Sequence, residues 1–390
     1  MALHAPAHAA SRQDFYALGS WATPPVAAAP SDANRVNNQT LRQVLRLSLG
    51  GESIRVKLSN RYGSAPLVIQ AAGIALRNGN ERIIAGSGKA LTFSGRESFT
   101  IPAYGELYSD WLTFAAGNLT ELAIDVHIAA DTSAGTSPLT LHNSRPSGQI
   151  VSYLAGGNQV GATVLPTEAT RAAYYFITGV EVSNPRAPGA IVCFGDSITD
   201  GSQSSLYANA RYPDYLANRV IYGSTIAPMG VVNLGIGGNR VLVGGTGASA
   251  LARFDRDVLS LSGASHVIVL EGINDISGGN TAANIIRGHG QMIARARARG
   301  LKIYGATVTP YGNAPQPRED ERLALNAWIR GSGAYDAVID FDAAIRDPGN
   351  PRVMLARYDS GDSLHPNSAG YAAMANAIDL NLFAGPKLRR

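Results

Sequence analysis

The chain of 390 residues holds a single cysteine, Cys193, which excludes an intrachain disulfide and any zinc site built on thiolates. The apolar neighbours of Cys193 mark it as core. Charged residues are few, at 16%, and no run of about eighteen apolar residues is present that could cross a bilayer as a helix. Lys and Arg together number 33 against 29 Asp and Glu, and they are spread along the chain apart from Lys387, Arg389 and Arg390 at the end. No basic stripe forms that could track phosphates, which argues against nucleic acid as a partner. The seven histidines contain no paired metal-binding motif, so neither a metal nor another cofactor is expected.

What is plentiful is turn-forming residues, 43 Gly and 20 Pro, in a chain longer than one hydrophobic core usually organises. Two domains are expected. Ile54, Val56 and Leu58 alternate with Arg55, Lys57 and Ser59, and the same period of two returns at Leu122, Ile124, Val126 and Ile128. With short apolar runs such as Leu67 to Ile69 between Gly, Asn and Ser clusters, this predicts a β-rich sandwich over 15–184. The segment Ser183 to Gly189 reads as a connector. Beyond it, apolar runs at Ile191 to Phe194, Val231 to Leu234, His266 to Leu270, Lys302 to Thr307 and Ala337 to Phe341 alternate with segments of helical period. Leu251, Phe254 and Val258 share one helix face, Ile285, Ile286, His289, Met292 and Ile293 a second, and Tyr371, Met374 and Ile378 a third. Asn367 stands at an N-cap position and Gly300 at a left-handed C-terminal cap. The fold class expected for 185–385 is therefore α/β, with five parallel strands covered by helices on both faces.

Residues 1–14 are expected to be a disordered tail and 386–390 a basic one. The start is Ala and His rich and lacks the basic and apolar parts of a signal peptide, yet Ala7-His8-Ala9 resembles the small-residue end of one. A trimmed leader would place the protein in the periplasm or outside the cell; an ordinary tail would leave it cytoplasmic.

Candidate chemistry gathers at the carboxyl ends of the predicted parallel strands, where open α/β sheets bind ligands. Ser197 follows the first, in Gly195-Asp196-Ser197-Ile198-Thr199-Asp200-Gly201. A serine there is most often a turn or cap residue unless a base serves it. Near the end of the chain, Asp362 stands three residues before His365, so one loop can present both. Neutral imidazole can take the serine proton while the carboxylate orients the ring, and Ser197, His365 and Asp362 supply those parts. Asp340, Asp342 and Asp359 lack this spacing to a histidine, and Asp196, Asp200 and Asp275 read as structural. Donors for an oxyanion would come from the loop Asn233 to Asn239, with Gly235, Gly237 and Gly238, and from Asn274 after the third strand. Of the other histidines, His266 and His289 lie in apolar patterns and read as core, while His127 and His142 belong to the β-rich half.

The blocks GDSIT, NLGIGG, GIND and DSLH, in this order over roughly Ala187 to Leu382, resemble those of the GDSL/SGNH hydrolases. The resemblance implies a flavodoxin-like sheet, Ser197 as nucleophile, and an oxyanion hole from the Ser197 N–H, the Gly238 N–H and the Asn274 amide. Gly237 or Gly235 would replace Gly238 if the block were matched one step differently. Longer stretches around Leu270 to Asp275 and Asn326 to Arg330 are similar to a subgroup of arylesterases and acylhydrolases, some associated with xylan breakdown. Its members carry a β-rich region that resembles a jelly roll. The expected activity is hydrolysis of short acyl, chiefly acetyl, esters. The alternatives are a carbohydrate O-acetylesterase, a phospholipase or thioesterase, and a binding module on a hydrolase scaffold. The partner expected is a small-molecule or carbohydrate ester, with no membrane partner, and the oligomeric state is open.

Overall fold

The computed structural model describes residues 11–28, 35–132, 138–143, 151–223 and 226–384. The tail expected over 1–14 does not hold for its last residues. Ser11 caps a helix, Arg12–Phe15, and Asp14 accepts hydrogen bonds from Arg55 and Trp111 of the following domain. Residues 1–10 and the basic tail lie outside the described residues.

The first half is an antiparallel β-sheet domain. One sheet runs Ala17–Ala22, Ile177–Ser183, Gly51–Ser59, Leu112–Ala116, with Glu106–Tyr108 added beside Gly51–Ser59. A second runs Ala169–Arg171, Ser152–Gly156, Gln39–Arg46, Glu121–Ile128, Ala71–Leu76, Lys89–Ala90. Their apolar residues share one core, with Ile54, Val56, Leu58 and Val180 from the first and Leu41, Leu45, Leu122 and Ile124 from the second. A third sheet pairs Thr140–Asn143 with Ala173–Tyr175 and Val26–Ala27. The period of two in Glu121–Ile128 does not leave a solvated face: Asp125 is buried in a bidentate pair with Arg42, also buried, and accepts from Gly161 N–H. A charged residue in an alternating strand marks the wet face only when no partner follows it inside.

The strand Ile177–Ser183 ends the first half and Ala190–Gly195 opens the second. Here five parallel strands lie in the order Gly230–Gly235, Ala190–Gly195, Ala264–Leu270, Lys302–Ala306, Ala337–Ile339, which is 2-1-3-4-5 in chain order. Both faces are buried, which is why the strands read as near-continuous apolar runs. Val192, Phe194, Val232 and Val267 face the helices Ala282–Ala298 and Gln316–Gly331. Ile191, Cys193, Val231 and Ile268 face Tyr212–Tyr222 and Ser368–Asn376. The face Leu251, Phe254, Val258 is not one α-helix, since Ala250–Phe254 passes into a π-turn, Asp255–Leu259. Asn367 caps the last helix by accepting from Ala369 and Gly370 N–H, and Gly300 takes the left-handed conformation at φ +74°.

Candidate active site

Order 2-1-3 places the ends of the second and third parallel strands on either side of the first, so the loops that leave them flank Ser197. Ser197 is the first residue of a one-turn helix, Ser197–Asp200. Asp196 caps it by accepting from Ile198 N–H at 2.9 Å, which is the structural role expected of it. As the first helical residue, Ser197 presents an N–H with no acceptor one turn back in the helix. The helix sits tight against the second strand: a Cβ on Gly235 would lie 2.1 Å from Asp200 N, so glycine is required there.

Ser197 Oγ lies 2.9 Å from His365 Nε2, and His365 Nδ1 lies 2.6 Å from Asp362 Oδ2. The carboxylate is an acceptor, so Nδ1 carries the ring proton and Nε2 is left to accept from the Ser197 hydroxyl. The loop shapes itself around this contact. Asp362 Oδ1 accepts from Leu364 and His365 N–H at 2.9 and 2.7 Å, and Asp359 Oδ1 accepts from Gly361 and Ser363 N–H. Gly312 N–H donates to Ser363 O, so the segment after the fourth strand packs on the same loop. Partial burial pushes the Asp362 pKa up, but the His365 N–H, its ring and the Leu364 N–H more than offset this and hold it below 3.8. The three other acids are committed elsewhere: Asp340 to Thr307 and Arg330, Asp342 to Arg322, Arg330 and Arg346, and Asp359 to the loop.

Of Gly235, Gly237 and Gly238, only Gly238 takes a positive φ, at +75°, turning the chain after the second strand. The adjoining Asn239 offers its carbonyl to Asn274 Nδ2 at 2.9 Å. That bond fixes the Asn274 amide and leaves its second N–H to donate elsewhere. Asp275 accepts from Val241 and Leu242 N–H at 2.7 and 3.1 Å, binding the same two loops together. Its expected structural role is met.

Beneath these loops lies a group the sequence did not single out. Arg253, fully buried, donates to Gly195 O at 2.9 Å, Leu234 O at 2.8 Å and Asn239 Oδ1 at 2.9 Å, and pairs with Asp257 and Glu271. One guanidinium thus ties the ends of all three strands that launch the site loops. Burial pushes the carboxyls of Asp196, Glu271 and Asp275 above their ordinary range, and each of the three raises or is raised by another. Arg253 lies on the α-helical turn Ala250–Phe254 that precedes the π-turn.

The remaining histidines divide. His289 is buried and bonded to the Tyr335 hydroxyl, and the His266 ring packs on Tyr304 and Phe383, as core groups do. His127 lies 3.3 Å from Asn38 Oδ1. His142 does not stay within its own half and contacts Asp200. Among the described residues no group of three or more His, Cys, Asp or Glu is gathered as a metal site, and no helix is long and apolar enough to cross a membrane.

The model of the GDSL-like lipase/acylhydrolase family matches residues 193–373. Solved structures similar to the chain include a GDSL-like lipase from Bacteroides thetaiotaomicron VPI-5482, 21% identical, over 50% of this chain and 88% of that one, at a TM-score of 0.38. A carbohydrate acetylesterase from Sinorhizobium meliloti is 17% identical over 50% of this chain and 98% of its own, at 0.40. An aryl esterase from M. smegmatis is 16% identical over 48% and 95%, at 0.39. No curated protein matches the chain.

Proposed function

We propose that the protein is a carboxylic ester hydrolase that cleaves short acyl, chiefly acetyl, esters through a Ser197 acyl-enzyme, a reading supported by the match of residues 193–373 to the GDSL-like lipase/acylhydrolase family. The observation that carries this reading is the continuous line of contacts from Ser197 Oγ through His365 to Asp362, at 2.9 and 2.6 Å. His365 Nε2 takes the Ser197 proton as Oγ attacks the ester carbon. The tetrahedral oxyanion is met by the N–H groups of Ser197 and Gly238 and by the second N–H of Asn274. The alcohol leaves with the proton from His365, and water then repeats both transfers to release the acid. Asp362 stays ionised and supports the imidazolium at each stage. A short acyl group suits a site in which the His365 and Asp362 side chains are 15% and 35% exposed rather than sealed in an apolar tunnel.

A second reading, a carbohydrate O-acetylesterase, is favoured by one feature. Tyr207 is 54% exposed at φ +55°, just after Ser205, which is hydrogen-bonded to Ser368, three residues beyond His365. An exposed ring two residues from the segment that Ser368 ties to the helix after His365 offers a sugar a face to stack on. In that reading acetylated xylan is the first sugar to try. Paired turnover of 4-nitrophenyl acetate, longer acyl esters and acetylated xylo-oligosaccharides decides between the two. Preference for the aryl acetate supports the first reading. Preference for the sugar, lost on Tyr207→Ala, replaces it with the second, and preference for long chains contradicts both.

A further inference from the structure

The antiparallel domain reaches the helix that carries Ser197 through a buried imidazole. His142 is 3% exposed, in the middle strand of the three-stranded sheet, where it pairs in register with Tyr174. Its Nδ1 lies 2.9 Å from Pro24 O, and its Nε2 lies 3.2 Å from Asp200 Oδ1. Both partners are acceptors, so a proton must lie between the ring and the Asp200 carboxyl, carried by one or the other. Asp200, 2% exposed, is the last residue of the helix whose first is Ser197.

A helix of one turn has almost no rigidity of its own. Its direction is set by what grips its ends. At the start stand the Asp196 cap and the end of the first strand, and along one side stand Gly235 and the Asn233 amide, which donates to Thr199 O at 2.7 Å. At the far end Thr199 meets the Tyr212 hydroxyl within the same half, and Asp200 meets His142 of the other domain. Other contacts between the halves include Ser48 Oγ with Val231 N–H, Gly19 N–H with Ser262 O and Arg46 with Asn218.

We propose that His142 is a positioning residue for ester hydrolysis: through Asp200 it holds the Ser197 helix at the angle that points Oγ at His365 Nε2, so the antiparallel domain is a working part of the active site. This rests on Ser197 being the nucleophile. An error of about 1 Å in placing a nucleophile costs on the order of a hundredfold in rate while leaving substrate affinity nearly intact.

The test uses the full chain with 4-nitrophenyl acetate, measuring kcat, KM and melting temperature for His142→Ala, His142→Gln, Asp200→Ala and His142→Ala/Asp200→Ala, with Ser197→Ala alongside. The expected result is a folded His142→Ala whose kcat falls at least about tenfold with KM within about threefold. His142→Gln, whose amide N–H can reach Asp200, recovers most of that loss. The double variant is no slower than the slower single one. Unchanged kcat per folded molecule in His142→Ala overturns the proposal, and so do equal losses in the Ala and Gln variants or fully additive losses in the pair. If His142→Ala does not fold, the kcat of Asp200→Ala decides: normal kcat there overturns it, and a kcat loss that spares KM supports it. Turnover surviving in Ser197→Ala would instead remove the nucleophile reading on which the proposal stands.

Discussion

A serine hydroxyl gains nucleophilic strength only from its neighbours, and at position 197 those neighbours come from a loop 168 residues further along the chain. That distance is why Ser197 alone was ambiguous in the sequence while the pair Asp362 and His365 was legible: three residues is a local spacing that a single loop can satisfy. Asn274 was legible as a candidate by its place after a strand, but its partner, Asn239 O, was not, because a backbone acceptor leaves no mark in composition. If the second N–H of Asn274 meets the oxyanion, Asn274→Ala lowers kcat by about 10²- to 10³-fold with KM little changed, as steady-state kinetics on 4-nitrophenyl acetate will read. A loss under threefold would reduce Asn274 to a loop residue.

At the scale of elements, the strands that carry the site announced themselves as apolar runs because both faces of the parallel sheet are covered, whereas buried charges misled. Arg42 with Asp125 closed a face that looked solvated, and Arg253 is buried among backbone carbonyls and carboxylates that helical periodicity does not foresee. Arg253 holds the carbonyls of Gly195 and Leu234 and the side chains of Asn239 and Glu271, so it joins three strand ends in one place. Arg253→Met leaves buried carboxyls without their cation, and a loss of about 3–5 kcal/mol in stability is expected by urea unfolding. Because burial already favours the protonated form of Glu271, Glu271→Gln is expected to cost far less, under about 1.5 kcal/mol. Equal losses in the two variants would show that the cluster depends on a charged Glu271.

For the whole molecule, the two halves share contacts but differ in how much of them a sequence reveals: the α/β half repeats a periodic plan, while the antiparallel half is built from pairings between segments far apart in the chain. Acid should test their common stability. Burial holds His289, and burial with the charge of Lys302 holds His266, at about 4, against about 6.5 in the unfolded chain. Their folded values are depressed, so as pH falls below about 6.5 the unfolded chain takes up protons that the folded one refuses. Stability then drops until about pH 4, at roughly 1.4 kcal/mol per pH unit for each such group. Melting temperatures of His289→Gln, whose amide can still bond Tyr335, should fall less steeply across that window than those of the parent, and equal slopes would contradict the assignment. The most direct test of the central claim is intact-mass analysis after treatment with an alkyl fluorophosphonate, followed by peptide mapping. One adduct per chain on the Ser197 peptide, formed as esterase activity disappears and absent in Ser197→Ala, is the predicted result; an adduct on another residue, or full activity in the Ser197→Ala protein, would contradict it.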